Sequence, residues 1–213
     1  MQSRVLRWAR GWAGVSALLL AVTHARAEGT KNESWWRRWS SPSQVQYGVA
    51  FDGEFVLAPG GICDPAAPCI LGSGGGVSVR FGVLYGRATY LGLTYSLTKQ
   101  DPARLYRFAT LQQGRLEFRK YMDSERDVRL FGGVGLGLAG YGDQWGVDTF
   151  GPVGSIGGGL EIELSARTVV VTSLAYRLIR LSSFRDSSNL DRPAGYTHIL
   201  GLELALEARS PIE

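Results

Sequence analysis

The chain has 213 residues, a formal charge of +4 and two cysteines. Four arginines of the N-terminal leader account for that charge, so a basic pI is no argument for nucleic-acid binding. After the leader no run approaches the roughly 18 apolar residues of a spanning helix, and a lone cysteine pair falls short of a zinc site.

The leader is Met1 to Ala27. Arg4, Arg7 and Arg10 form its basic start, Ala13 to Val22 its short apolar centre, and Ala25-Arg26-Ala27 a small-x-small cleavage site. That pattern reads as a secretory signal peptide. Cleavage before Glu28 removes Arg4, Arg7, Arg10 and Arg26 and no acid, which takes the formal charge from +4 to near zero. Residues 28–43 form a polar segment with Trp35, Trp36, Arg37, Arg38 and Trp39. Tryptophan beside arginine suits a membrane–water interface on the periplasmic side, and equally a tether packing on the fold.

From Gln44 onward the sequence alternates. Val45, Tyr47, Val49 and Phe51 share one parity, against Gln46, Gly48, Ala50 and Asp52 on the other. The same period-two pattern recurs over Gly75–Leu84, Ala88–Thr98, Tyr106–Tyr121, Val128–Tyr141, Val153–Leu164 and Arg167–Arg180. The eighth segment, Tyr196–Arg209, is rich in helix formers. However, Leu200, Leu202, Leu204 and Leu206 share one parity and Glu203 and Glu207 the other. At 180° per residue the leucines form one face; at 100° they scatter. Eight strands follow, with no helical stretch among them.

The links alternate in length. Tyr85-Gly86, Met122–Asp127 and Ser165-Ala166 are short, whereas Ala58–Gly74, Lys99–Leu105, Gly142–Pro152 and Leu181–Gly195 are long. An up-and-down barrel collects its short turns at one end and its long loops at the other, as outer-membrane barrels do.

Alternation alone does not say which parity faces outward, since soluble and membrane barrels share the period. Composition decides it here. The less apolar parity is mostly Gly, Ala and Ser, and the exported chain has three lysines, Lys31, Lys99 and Lys120. A water-facing strand surface carries more Lys, Thr and Glu. The sparse charges on that parity also balance: Arg80, Arg115, Arg119 and Arg177 against Glu117, Glu161, Glu163, Glu203 and Glu207. Inside a barrel barely wide enough for its side chains such charges must pair. Aromatic residues gather at segment ends. Tyr95, Tyr106, Tyr141, Trp145 and Tyr196, with Trp35, Trp36 and Trp39, are the expected interfacial anchors; Phe81, Tyr85, Phe118 and Tyr121 form the girdle of the short-turn end.

On this pattern the chain resembles the small eight-stranded outer-membrane barrels of Gram-negative bacteria, the class of the outer-membrane protein A transmembrane domain. The resemblance covers about Gln44 to Arg209. It implies an all-β, eight-stranded antiparallel up-and-down transmembrane β-barrel in the outer membrane, 210–213 being a short tail. The implied partners are outer-membrane lipids, lipopolysaccharide and the barrel-assembly machinery. Many such barrels end on an aromatic residue, where this chain ends Ala-Arg-Ser-Pro-Ile-Glu.

Chemistry-bearing motifs are few. Cys63 and Cys69, with prolines between them, read as a local disulfide in an exported chain. Gly135-Leu-Gly-Leu-Ala-Gly140 has dinucleotide-fingerprint spacing but sits inside an alternating strand rather than at a strand-to-helix turn. His198 faces outward near the long-loop rim, and the serines before it fix no triad spacing. The expectation is a monomeric, non-enzymatic barrel with a filled, charge-paired interior, no cofactor and no nucleic-acid partner. A lipid-modifying enzyme barrel and a soluble lipocalin-like binder are the alternatives.

Overall fold

The structure, a computed structural model, describes residues 42–63, 68–86, 88–100, 108–122, 128–186 and 188–212. The leader, the segment with Trp35, Trp36 and Trp39, and Tyr106 lie outside the described residues.

Each alternating segment forms a strand: β1 (Pro42–Ala58), β2 (Gly74–Tyr85), β3 (Thr89–Gln100), β4 (Ala109–Tyr121), β5 (Val128–Asp143), β6 (Thr149–Ser165) and β7 (Thr168–Leu181). A two-residue hairpin, β8 (Phe184–Arg185) with β9 (Asp191–Arg192), interrupts the last link before β10 (Gly195–Pro211). Every neighbouring pair in the barrel is antiparallel, and the order β1-β10-β7-β6-β5-β4-β3-β2 closes on itself. It is a closed eight-stranded antiparallel β-barrel. Closure leaves no unpaired edge, so backbone polar groups along the wall are matched by neighbouring strands.

The parities resolve cleanly. Phe51 and Leu136, each 72% exposed, stand on the outside, as do Leu202, Leu204 and Leu206 of β10. Arg80, Arg115, Glu203 and Glu207 are buried inside. Because a strand's side chains alternate strictly, one parity assignment per strand settles both surfaces.

The interior has three tiers. An apolar cluster of Ile62, Ile70 and Leu71 with Leu111, Tyr141, Val153, Ile179 and Ile199 fills the long-loop end. A second cluster, including Leu84, Tyr90, Tyr121, Phe131, Val169 and Val171, fills the short-turn end. Charged side chains occupy the waist and part of the lower tier.

Two aromatic expectations are corrected. Tyr141 is fully buried in the upper cluster rather than anchored at an interface, and Tyr121 is 4% exposed rather than part of a girdle. Both sit at a strand end, but on the parity that points inward with Phe131 and Arg119. Height along a strand does not choose a face; parity does. The link asymmetry is also weaker than expected. β5 and β6 extend toward each other, pairing Tyr141 with Thr149, so a compact turn joins Asp143 to Thr149.

Candidate functional site

The waist is assembled from inward positions on five strands. Register sets Arg80 beside Gly48 and Thr94, Gly48 beside Glu207, and Asp52 beside Glu203. Arg80 is the hub. Its guanidinium reaches Glu207 at 2.5 Å and Glu117 at 3.4 Å, pairs closely with Glu203, and donates to the Thr94 hydroxyl at 3.3 Å. Glu117 also takes Arg119 at 3.1 Å and Arg115 at 3.3 Å. Arg119 lies 5.0 Å and 5.1 Å from the ring centres of Tyr90 and Phe131, tying the waist to the lower apolar tier.

Arg177 serves a second group. It meets Glu54 at 2.5 Å and Asp52 at 3.5 Å, while Glu54 accepts hydrogen bonds from Thr98 (2.7 Å), Gln100 (2.6 Å) and Gln113 (2.7 Å). Gly201 leaves room beside Arg177: a Cβ there would stand 2.9 Å from the guanidinium carbon, so a larger residue would displace that side chain. Nearer the short turns, Arg129 and Arg209 both pair closely with Glu161; they also reach Glu163 at 3.5 Å and 3.1 Å. The Tyr121 hydroxyl donates to Glu161 at 3.0 Å.

Asp52, Glu54, Arg129 and Arg209 are absent from the luminal charges expected from sequence, although each lies on the inward parity of its strand, where the sequence pattern already places Asp52. Charge balance within the barrel was the available signal. A void of about 50 Å³ remains between Arg80, Arg115, Arg177, Glu117, Ser155 and Ser173. That is room for a few ordered waters. The waist is packed, not hollow.

The mouth is closed by chain rather than by barrel side chains. After β1 a single 3-10 turn, Gly60–Ile62, drops Ile62 into the lumen, and the Cys63–Cys69 disulfide, with its Cα atoms 4.3 Å apart, brings the returning chain back beside it. Ile70 and Leu71 then bury fully. Three side chains hold the backbone of this insert: the Tyr141 hydroxyl donates to the Ile70 carbonyl, Arg192 to the Ile62 carbonyl at 3.0 Å, and Thr197 to the Pro59 carbonyl at 3.0 Å. Gly60 has φ of 66°, and a Cβ there would clash with the Tyr196 carbonyl oxygen, so glycine is the residue that fits.

Arg192, itself 1% exposed, also pairs with Asp186 at 2.8 Å. Asp186 accepts the amides of Ser188 (2.8 Å) and Leu190 (3.0 Å), which folds the β8–β9 link into a tight loop. Burial alone pushes the Asp186 carboxyl up, but these amides and the Arg192 guanidinium together hold it below the ordinary aspartate value. On the rim, Arg185 and Asp191 pair at 2.9 Å in the open; their hydrogen bond lowers the Asp191 pKa and raises that of Arg185.

The outward aromatic residues Tyr95, Trp145 and Tyr196 are 47%, 74% and 54% exposed. His198 faces outward too, and among the described residues its hydrogen-bond partner is the Tyr176 hydroxyl. Ser182, one of the serines near it in sequence, donates instead to the Phe150 carbonyl at 3.0 Å.

No protein-family model matches the chain, and no curated protein matches it in sequence. Solved structures do. The crystal structure of Neisserial surface protein A is similar over 79% of this chain and 97% of its own, with a TM-score of 0.54 and 16% identity. The outer membrane protein OprG from Pseudomonas aeruginosa matches over 79% and 96%, with a TM-score of 0.54 and 10% identity. The fold is that of the small outer-membrane barrels. Such low identity concerns the strand count, closure and course of the barrel, and leaves the loops and the lumen to be read from this chain's own residues.

Proposed function

We propose that this chain is an integral outer-membrane barrel without catalytic activity, exported by its N-terminal signal peptide and acting as a structural or surface-interaction protein through its long-loop end. The observation that carries the reading is the inversion of polarity across the wall. Large apolar side chains face out all round, while the arginines and carboxylates are buried within. Water would make that arrangement costly on both counts, since apolar area is exposed at about 25 cal/mol per Å² while charges are desolvated. Lipid removes the first cost. Strands of 12 to 17 residues exceed the roughly 9–11 needed to cross a bilayer when tilted.

The lumen supports a role without conduction. Its ionic groups are matched to one another at the waist, and apolar tiers close it above and below. That leaves the loops, and the lipids around the wall, as the surfaces through which a monomer would act. Lipopolysaccharide and phospholipid are the expected surroundings, and the barrel-assembly machinery the expected route of insertion.

Fractionation of cells expressing the full chain tests this. The protein should sediment with outer membranes, require detergent for extraction, and migrate differently on gels before and after boiling. Recovery from the periplasm without detergent would overturn the proposal in favour of a soluble barrel.

A further inference from the structure

We infer that the outer wall across β2, β3 and β4 binds one anionic lipid, with an acyl chain in the hollow over Gly114 and its phosphate at Lys99. This rests on the membrane placement proposed above and adds a specific site to it.

The hollow comes from one missing side chain. Gly114 faces outward on β4, and a Cβ built there meets no atom within 4 Å. Around it stand Val79 and Phe81 of β2 with Leu93 and Tyr95 of β3, leaving about 360 Å³ of recess in the apolar wall. A flat wall greets all lipids alike; a recess walled by aromatic and branched side chains increases contact with one chain and orders it.

The seam above supplies a head-group path. Along the β3–β4 ladder Tyr95 pairs with Gly114, Leu97 with Gln112, and Lys99 with Thr110. The Tyr95 hydroxyl donates to the Gln112 side-chain carbonyl at 3.0 Å, which fixes the Gln112 amide beside the recess, free to donate to an ester or phosphate oxygen. Four residues above Tyr95, roughly 13 Å along the strand, exposed Lys99 holds its ammonium 5.4 Å from the Phe108 ring centre. From Lys99 to Leu93 the seam thus runs cation, amide, phenol, apolar recess, in the order a lipid presents phosphate, ester and chain.

Charge sets the class of head group. Every Asp and Glu of the described barrel strands lies on the inward parity, and the outward parity carries Lys99, Lys120 and Arg180. Asp143, the carboxylate that takes the Phe108 amide at 3.1 Å, belongs to the inward set. Among the described strand residues, a phosphate at this rim therefore meets attraction from Lys99 with no outward carboxylate opposing it. Arg180, at the same end of the opposite wall, lies 6.0 Å from the Tyr196 ring.

The test is native mass spectrometry of the detergent-purified full chain titrated with phosphatidylglycerol, with phosphatidylcholine of the same chains, and with lipid A. One phosphatidylglycerol or one lipid A should be retained in preference to phosphatidylcholine, and whichever is held names the head group. Gly114→Leu should weaken retention about tenfold, comparable to losing roughly two buried methylenes. Lys99→Ala should weaken it about fivefold and abolish the preference over phosphatidylcholine. Gly53→Leu, which fills ordinary outward space on β1, should change nothing. Gly114→Ala, a smaller change at the same site, should fall between wild type and Gly114→Leu. Equal retention by wild type and both Gly114 variants, or an equal loss on Gly53→Leu, overturns the site. Heat-dependent mobility run on each variant separates the two proposals. A membrane-extracted, heat-modifiable barrel without lipid preference refutes the lipid site alone, whereas a soluble chain refutes the membrane reading itself.

Discussion

The two ends of this barrel are sealed by different means. At the short-turn end the seal is the wall's own side chains: Tyr90, Tyr121, Phe131 and Val171 meet across the lumen and lean on Arg119 and Glu161. At the mouth the seal is a loop insert, Ile62, Ile70 and Leu71, clasped by a disulfide and held by Tyr141 and Arg192. The first seal cannot loosen without loosening the barrel. The second can open while every strand stays paired. Strand-built sealing is thus coupled to global stability, and loop-built sealing to local stability.

The largest expected effect is therefore in the strand-built half. Arg80→Ala leaves Glu117, Glu203 and Glu207 buried without their shared cation. Breaking a buried network by removing one partner costs about 3–5 kcal/mol. The urea midpoint of the folded band, read from unboiled gels, should fall sharply or the barrel should fail to fold. A midpoint within experimental error of wild type would show that the waist is not what couples the wall together.

Opening the mouth should leave that midpoint nearly unchanged. Replacing Cys63 and Cys69 by alanine releases a short ring, worth about 2–3 kcal/mol to the local fold of the insert. Amide exchange over residues 60–72 should accelerate while barrel amides stay protected. Ion conductance in planar bilayers should remain low, because the packed waist lies beneath the plug. A rise in conductance on cysteine removal alone would place the barrier at the mouth instead.

A matched pair of smaller changes sharpens the contrast. Tyr121→Phe removes a hydrogen bond to a buried carboxylate, and Tyr141→Phe removes one to the Ile70 carbonyl. A bond to a charged group is worth about 1.5–3 kcal/mol and a neutral one about 0.5–1.5. Tyr121→Phe should lower the unfolding midpoint, whereas Tyr141→Phe should speed exchange in the insert and leave the midpoint in place.

That pair also marks where sequence reading succeeded and where it stopped. Alternation in Tyr196–Arg209 puts Leu202 and Leu204 on one face and Glu203 on the other, and the small-residue, charge-balanced composition of the second face puts the leucines outside. The same rule, applied to the strand ends, would have turned Tyr121 and Tyr141 inward; a positional expectation of girdles overrode it. Glu54 and Arg209 lie on the same parities as Asp52 and Glu207, but the sequence-based charge balance does not include them. The plug was harder. Ile62, Ile70 and Leu71 show no period, and their one signal is that apolar residues flank both cysteines. The β8–β9 hairpin is too short for periodicity to speak at all. Its organising residue, Asp186, acts through loop amides and an arginine six positions on.

Asp186 gives the smallest and most local prediction, and its sign follows from its partners. In the folded loop its carboxyl titrates below the ordinary value, near 3.9 for an unfolded chain. The charged form is the one the fold favours, so its contribution is complete only well above the unfolded value, from about pH 4.5 upward, and is lost as the pH falls through the lower, folded value. Protection of the Ser188 and Leu190 amides should hold from neutral pH to about 4.5 and then decline. Barrel amides should not follow it over that range. Asp186→Asn should abolish the transition and lower protection at every pH, since it keeps an acceptor but leaves Arg192 buried without a counter-charge. If the insert at Ile62 loosens with it, Arg192 is the strut that joins the two loops across the mouth. If Ile62 stays protected while Ser188 does not, the disulfide and Tyr141 hold the plug without help from the hairpin.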